Sequence, residues 1–165
     1  MNSWAERSAE ERALLNPSFC AAILWHAARG YAKEGDRYLT LEESFLILPL
    51  VLHRETRLLL PSSIRTSLPV WLDRNPLAGQ RAGKAASLLA PFTREALLVA
   101  GLHGFIALEE GRLRANGEWS VRVTRVIGKA SDEVRACADK ANFVGRWFAK
   151  VGSPPTVLAL IGVRP

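Results

Sequence analysis

Three histidines, two cysteines and three pairs of adjacent glutamates are the residues of this chain best suited to catalysis or metal binding. Their spacing assigns them neither task. His26, His53 and His103 fall on three different expected elements, with no carboxylate or cysteine at ligand spacing, so no local zinc-type site is written here. His53 and His103 each stand near an expected helix C-terminus, where an imidazole interacts favourably with the helix dipole. The glutamate pairs Glu10-Glu11, Glu42-Glu43 and Glu109-Glu110 sit at helix starts or in a turn. Nothing there would desolvate them into the shifted pKa that acid-base catalysis requires. Cys20 and Cys137 lie among apolar neighbours and read as reduced core residues, with a single disulfide left open. No Gly-x-Ser-x-Gly elbow marks a nucleophile. The expectation is a non-enzyme with no cofactor and no metal.

One stretch imitates a phosphate-binding loop. In Gly79-Gln80-Arg81-Ala82-Gly83-Lys84-Ala85, glycines precede a lysine as they do where backbone amides cradle phosphate. The spacing is one residue short, Ala85 stands where a magnesium-holding hydroxyl belongs, and Asn75-Pro76 precedes it in place of a buried strand. A helix with two small positions for close packing explains it better.

The elements that would hold these residues are punctuated by caps and prolines. Asn16-Pro17 is an N-cap followed by a proline at the first helical position, and Gly30 is expected to close that helix. Thr40 and Glu43 have capping-box spacing ahead of a central helix running through Leu52, with Pro49 as an expected kink. A helical turn carries Trp71. Asn75-Pro76 starts another helix from 77 to about 89, which Pro91 is expected to end before Thr93 caps a new one. Residues 96–102 of that last helix are apolar at every position, so the helix is expected to be buried on all sides. A hairpin follows, with Phe105, Ala107, Leu113 and Ala115 alternating around Glu109-Glu110-Gly111. A second alternation, Trp119, Val121 and Val123, predicts a third strand. The longest helix starts at Ser131-Asp132-Glu133 and carries Val134, Cys137, Ala141, Val144, Phe148 and Val151 as a packing seam. Gly152 and Pro154-Pro155 lead to a final short helix.

This order, a helix running into a tight hairpin, predicts a mainly α chain with a small β-sheet (α+β). The expected body is winged-helix-like, with additional N- and C-terminal helices. Residues 1–15 form an N-terminal extension and residues 16–165 a single domain, large enough to bury a core since 48% of the chain is hydrophobic. The extension has no apolar core of a signal peptide, and the longest greasy run, 45–52, is too short to span a bilayer. A cytoplasmic protein without membrane contact is expected. The net charge of +6 is uneven, with nine Lys/Arg against four Asp/Glu over residues 111–150. Such an excess attracts phosphate backbones or steers an acidic protein partner. Arg112, Arg114, Arg122, Arg125 and Lys129 are the candidate nucleic-acid contacts. Tryptophan is favoured both in cores and as the anchor of protein interfaces, and most of the five are expected in the core. Trp147, beside Arg146 and Lys150, is the best candidate for an anchor at a partner surface, although the reading in which Trp147 and Phe148 clamp the last helix is the more favoured one. Arg164 completes that candidate interface.

Four blocks carry a family resemblance: NPSFCAAILWHAARGY at 16–31, LPLVLHRETRLLLPSS at 48–63, PFTREALLVAGLHGFIALEEGRLR at 91–114 and GRWFAKVGSPPTVLALIGVRP at 145–165. Together they resemble the middle component of three-component ABC systems. The resemblance implies a bacterial anti-phage or anti-plasmid defence complex of the Lamassu type. Its partners would be an SMC/Rad50-like ABC ATPase and an effector, often a nuclease, in a hetero-oligomer that meets DNA through the complex. The chain would be the adaptor that ties effector to ATPase and helps hold the effector inactive. The alternative from the residues is a DNA-binding winged-helix regulator that uses the basic residues after the hairpin. A hydrolase with a triad assembled from distant positions has the least support.

Overall fold

The computed structural model describes residues 15–163. Asn16 caps the first helix as its sequence predicts, its side chain accepting from the amides of Ser18 and Phe19. This helix, α1 (Pro17–Ala32), is the central element, and Cys20, Ile23, Leu24, Trp25, Ala27 and Ala28 along it have no exposed surface. A two-residue strand β1 (Leu39–Thr40) follows. The predicted capping box forms in full: Thr40 accepts from the Glu43 amide and Glu43 reaches back to the Thr40 amide. The helix it starts is short, α2 (Leu41–Ser44), and a turn separates it from α3 (Ile47–Leu52). The break therefore precedes Pro49, which sits in the first turn of α3, where a missing N–H costs nothing.

His53 stands at the C-terminus of α3, as expected, and begins the next helix as well. It caps α4 (Arg54–Leu59), its Nδ1 accepting from the Thr56 amide at 3.2 Å. After α5 (Leu68–Arg74), the expected pair of helices around Pro91 is one helix of 27 residues, α6 (Pro76–Leu102). Proline ends helices by removing a donor and crowding the preceding turn, but here a single buried seam runs through it. Ala78, Ala82, Ala86, Thr93, Ala96 and Ala100 all face the core, and that continuous burial outweighs the local fault. Thr93, expected as a cap, is buried and bonds back to the Leu89 carbonyl. The phosphate-loop imitation lies mid-helix and forms no loop. Gly79 packs on Leu72 and Gly83 on the Ile161 backbone, the close approaches expected of small residues.

The hairpin is β2 (Ile106–Glu109) and β3 (Arg112–Ala115), joined by Glu110 and Gly111, both at positive φ (50° and 73°), as a type I′ turn demands. Its buried strand residues are Ile106 and Leu113, so the inward phase of the first strand is one residue away from the expected Phe105–Ala107 alternation. The sheet is antiparallel with order β1-β3-β2. Its third strand is β1 rather than the residues around Trp119. Those residues form a 3-10 turn (Gly117–Trp119) and a helix, α7 (Ser120–Gly128). Valines two apart fit a strand, but Val123 and Ile127 are also four apart, and this helical pair is the one that packs inward.

The longest expected helix is α8 (Asp132–Val151), capped by Ser131 and burying Cys137, Ala141, Val144 and Phe148 of its predicted seam. It packs chiefly on α1. Gly30, expected to end α1, instead lies inside it. A Cβ there would stand 2.2 Å from the Asn142 carbonyl oxygen, and one on Gly145 would stand 2.0 Å from that of Ala27. The two glycines thus let α1 and α8 cross with their backbones in contact. Arg37 closes the far end of α8 by donating to the carbonyls of Ala149 and Gly152 at 2.5 and 2.6 Å. The final helix, α9 (Pro154–Ile161), ends at Gly162 in the left-handed conformation.

The outcome is mainly α with a small three-stranded sheet, as expected. The winged-helix expectation rested on a short helix running into a tight hairpin. The helix that enters the hairpin is 27 residues long, and β1, from earlier in the chain, pairs with β3 to complete the sheet.

Candidate protein-interaction surfaces

The ionisable groups of the interior serve packing. Burial pushes the Cys20 thiol up to about 12 and raises that of Cys137, so both stay protonated and unreactive. Both cysteines are free, and Cys137 donates weakly to the Val51 carbonyl. His26, edge-on to Trp25, is pushed down to about 4 by burial, with Asp139 opposing and Arg29 and Lys33 assisting that shift. Burial likewise raises the Glu43 carboxyl, one oxygen of which has no partner. Arg57, a residue the sequence did not single out, is almost wholly buried. It donates to the Val51 carbonyl at 2.7 Å and pairs with Glu133, stapling α4 to α3 and α8. Among the described residues, no three His, Cys, Asp or Glu converge as metal ligands.

The predicted anchor cluster resolves into three different situations. Trp147 has 0% exposure: it lies edge-on to Trp71 at 5.5 Å and donates to the Thr66 carbonyl at 2.6 Å. It is therefore a core residue and no surface anchor, because the seam of α8 turns it inward to clamp the loop before α5. Arg146 and Lys150 do reach the surface, where they share Glu34 at 2.6 and 3.2 Å. Hydrogen bonds from Arg146 first and Lys150 second hold that carboxyl below its ordinary pKa. Arg164 lies outside the described residues. In front of Trp147, Ile64, Leu68, Lys150 and Leu160 line an open groove of about 760 Å³.

The basic candidates also separate. Arg112 and Arg114 are on β3, where Arg114 pairs with Glu109 across the hairpin at 2.7 Å, and Glu110 stands at the tip. Phosphate would meet carboxylates there as soon as cations. Arg122, Arg125 and Lys129 lie on or at the end of α7, all exposed, Arg122 resting on the Trp119 ring.

The feature sequence reasoning missed is on α6. Residues 96–102 are not buried all round: Ala96 and Ala100 face the core, whereas Leu98 and Leu102 are 67% and 84% exposed. Leu88, also on this outer side, is 75% exposed. The reason is the helical phase of the small residues. The helix turns its alanine side to the core it packs on, chiefly α1 and α3, so the leucines on its other side point away from that core. α6 is long and apolar enough to cross a membrane by length and composition, and it is docked here along the protein core. Large apolar side chains left exposed along one side of a helix mark a candidate interaction surface.

Over residues 4–165 the chain matches the family model of the ABC-three component (ABC-3C) system Middle Component 3. The match takes in most of the stretch set apart above as an N-terminal extension. No curated protein and no solved structure matches the chain.

Proposed function

The chain belongs to the Middle Component 3 family of ABC-three component systems, and from that premise we propose that it is a non-catalytic adaptor joining an ABC ATPase to an effector. On this reading the complex is a cytoplasmic anti-phage or anti-plasmid defence assembly of the Lamassu type. The ATPase is SMC/Rad50-like, and the effector is a nuclease held in check until foreign DNA is sensed. The family match carries the proposal, since a middle component implies protein partners. The leucine ridge of α6 supports it physically. Leu88, Leu98 and Leu102 expose apolar surface that a solitary protein has reason to hide, at about 25 cal/mol for each Å². The hairpin supports it from the other direction, because its ion-paired arginine and acidic tip suit a protein neighbour better than a phosphate backbone.

Co-expression with the other two components followed by size-exclusion chromatography tests the reading. The adaptor co-elutes with the ATPase or the effector, and Leu98→Ser with Leu102→Ser shifts it to its own elution volume while its melting curve stays in place. A chain that elutes alone and binds duplex DNA with a steep salt dependence is instead the winged-helix regulator.

A further inference from the structure

The helix α7 carries a surface that the leucine ridge does not include. At about 100° per residue, Val121, Arg125, Lys129, Arg122 and Val126 follow one another around an arc of about 140°. The three cations occupy the middle of that arc and a valine stands at each edge. All five are exposed, the valines by 68% and 63%. The opposite side of α7 is fixed: Val123 is buried, Ile127 packs on the core, and Arg29 of α1 donates to Ser120 at 2.6 Å. The helix therefore presents this face to solvent as a held, oriented surface.

The charge on the face is open to a partner. Among the described residues Arg125 and Lys129 make no ion pair, and Arg122 makes only its contact with Trp119. The acids that follow α7 in sequence are committed elsewhere, Asp132 to Arg135 and Glu133 to Arg57. Glu118 alone stands at the N-terminal edge, where the helix dipole favours it.

We propose that this face of α7 docks an acidic amphipathic segment of one of the protein partners, its carboxylates over Arg122, Arg125 and Lys129 and its apolar side chains against Val121 and Val126. The inference rests on the adaptor reading and names the chemistry of the partner at one surface. The valines select a protein segment over nucleic acid. A phosphate backbone satisfies the cations but offers nothing apolar at both edges of the stripe, whereas an amphipathic helix supplies both in register. Electrostatic complementarity of this kind accelerates encounter and makes affinity sensitive to salt.

The test uses the full chain, with the ABC component and the effector component of the same system immobilised separately and a 20-base-pair DNA duplex as a third probe. Substituting Arg122→Glu, Arg125→Glu and Lys129→Glu together is expected to weaken binding to one component by about tenfold or more and to flatten its salt dependence. Val121→Ser with Val126→Ser, which leaves every charge in place, is expected to weaken the same interaction by a smaller factor. Circular dichroism melts of both variants check the fold, and the serine pair keeps the test decisive should the charge reversals unfold the chain. Unchanged affinity for both components in a folded variant overturns the docking face while leaving the adaptor role standing. Duplex binding that the charge reversals abolish and the serine pair spares, with protein binding intact, overturns it in favour of nucleic acid. A wild-type chain that binds neither component overturns the adaptor role and this face with it.

Discussion

α8 and α6 are both long helices laid against α1, yet one has its large apolar side chains sealed in and the other leaves several of them open. α8 meets α1 through Gly145 and Gly30, so close that the large residues beside them, Val144, Trp147 and Phe148, are swept into the core. α6 meets its neighbours through alanines, and its leucines are turned the other way. α8 is the more polar of the two, with seven charged residues in 20 against four in the 27 of α6, yet it is α8 that buries its large side chains. What decides burial is which side carries the small residues, because backbone approach is set by the smallest side chains and everything else follows.

The largest effect is expected at the sealed crossing. Gly145→Val places carbon atoms inside contact distance of the Ala27 backbone, and destabilisation of about 3 kcal/mol or more is expected, read from the urea midpoint. A loss below 1 kcal/mol would mean the crossing yields, and the contrast with α6 would dissolve. Next, Arg57→Met keeps the volume but leaves the Val51 carbonyl with only the weak Cys137 thiol donor and Glu133 without its cation, an expected loss of about 2 kcal/mol in the same assay.

His26 sharpens the comparison through pH, because it sits on the α1 side that α8 covers. The unfolded chain takes up its proton near 6.5 and the folded chain only near 4. The unfolded state therefore binds more protons across that window, and stability is complete above it and falls progressively as pH drops through it. The expected loss is about 1–3 kcal/mol. Glu43, raised by burial, works in the opposite sense. Thermal melts of the wild type and His26→Gln at each pH isolate the histidine contribution, and parallel curves would assign the acid sensitivity elsewhere. The smallest effect belongs to the open side of α6. Leu88→Ser and Leu102→Ser are expected to move stability by no more than about 0.5 kcal/mol each. A larger drop would mean those side chains have a hidden intramolecular partner.

Local chemistry was legible in the sequence. Asn16, the Thr40–Glu43 box, Ser131, the Glu110-Gly111 turn and the α8 seam were all readable, because each depends on residues within a few positions. The misreadings share a cause in distant contacts. Pro91 stays inside a helix because a seam extends on both sides of it, and Gly30 serves a neighbour more than a hundred residues away in the chain. The valines after Trp119 fit two periodicities, and only packing on α8 chose between them. Of the site, the cations of α7 were legible by charge. The α6 ridge was not, since a run apolar at every position carries no phase from which an outward side could be read.

The thiols have a practical consequence. The chain has only Cys20 and Cys137, both buried and held in the protonated form. Maleimide reagents need an accessible thiolate, so the native protein is silent towards them. A cysteine introduced at Leu102 or Val126 would then be the sole reactive handle, allowing a fluorophore or crosslinker to report on either face without first stripping the protein of its natural sulfur.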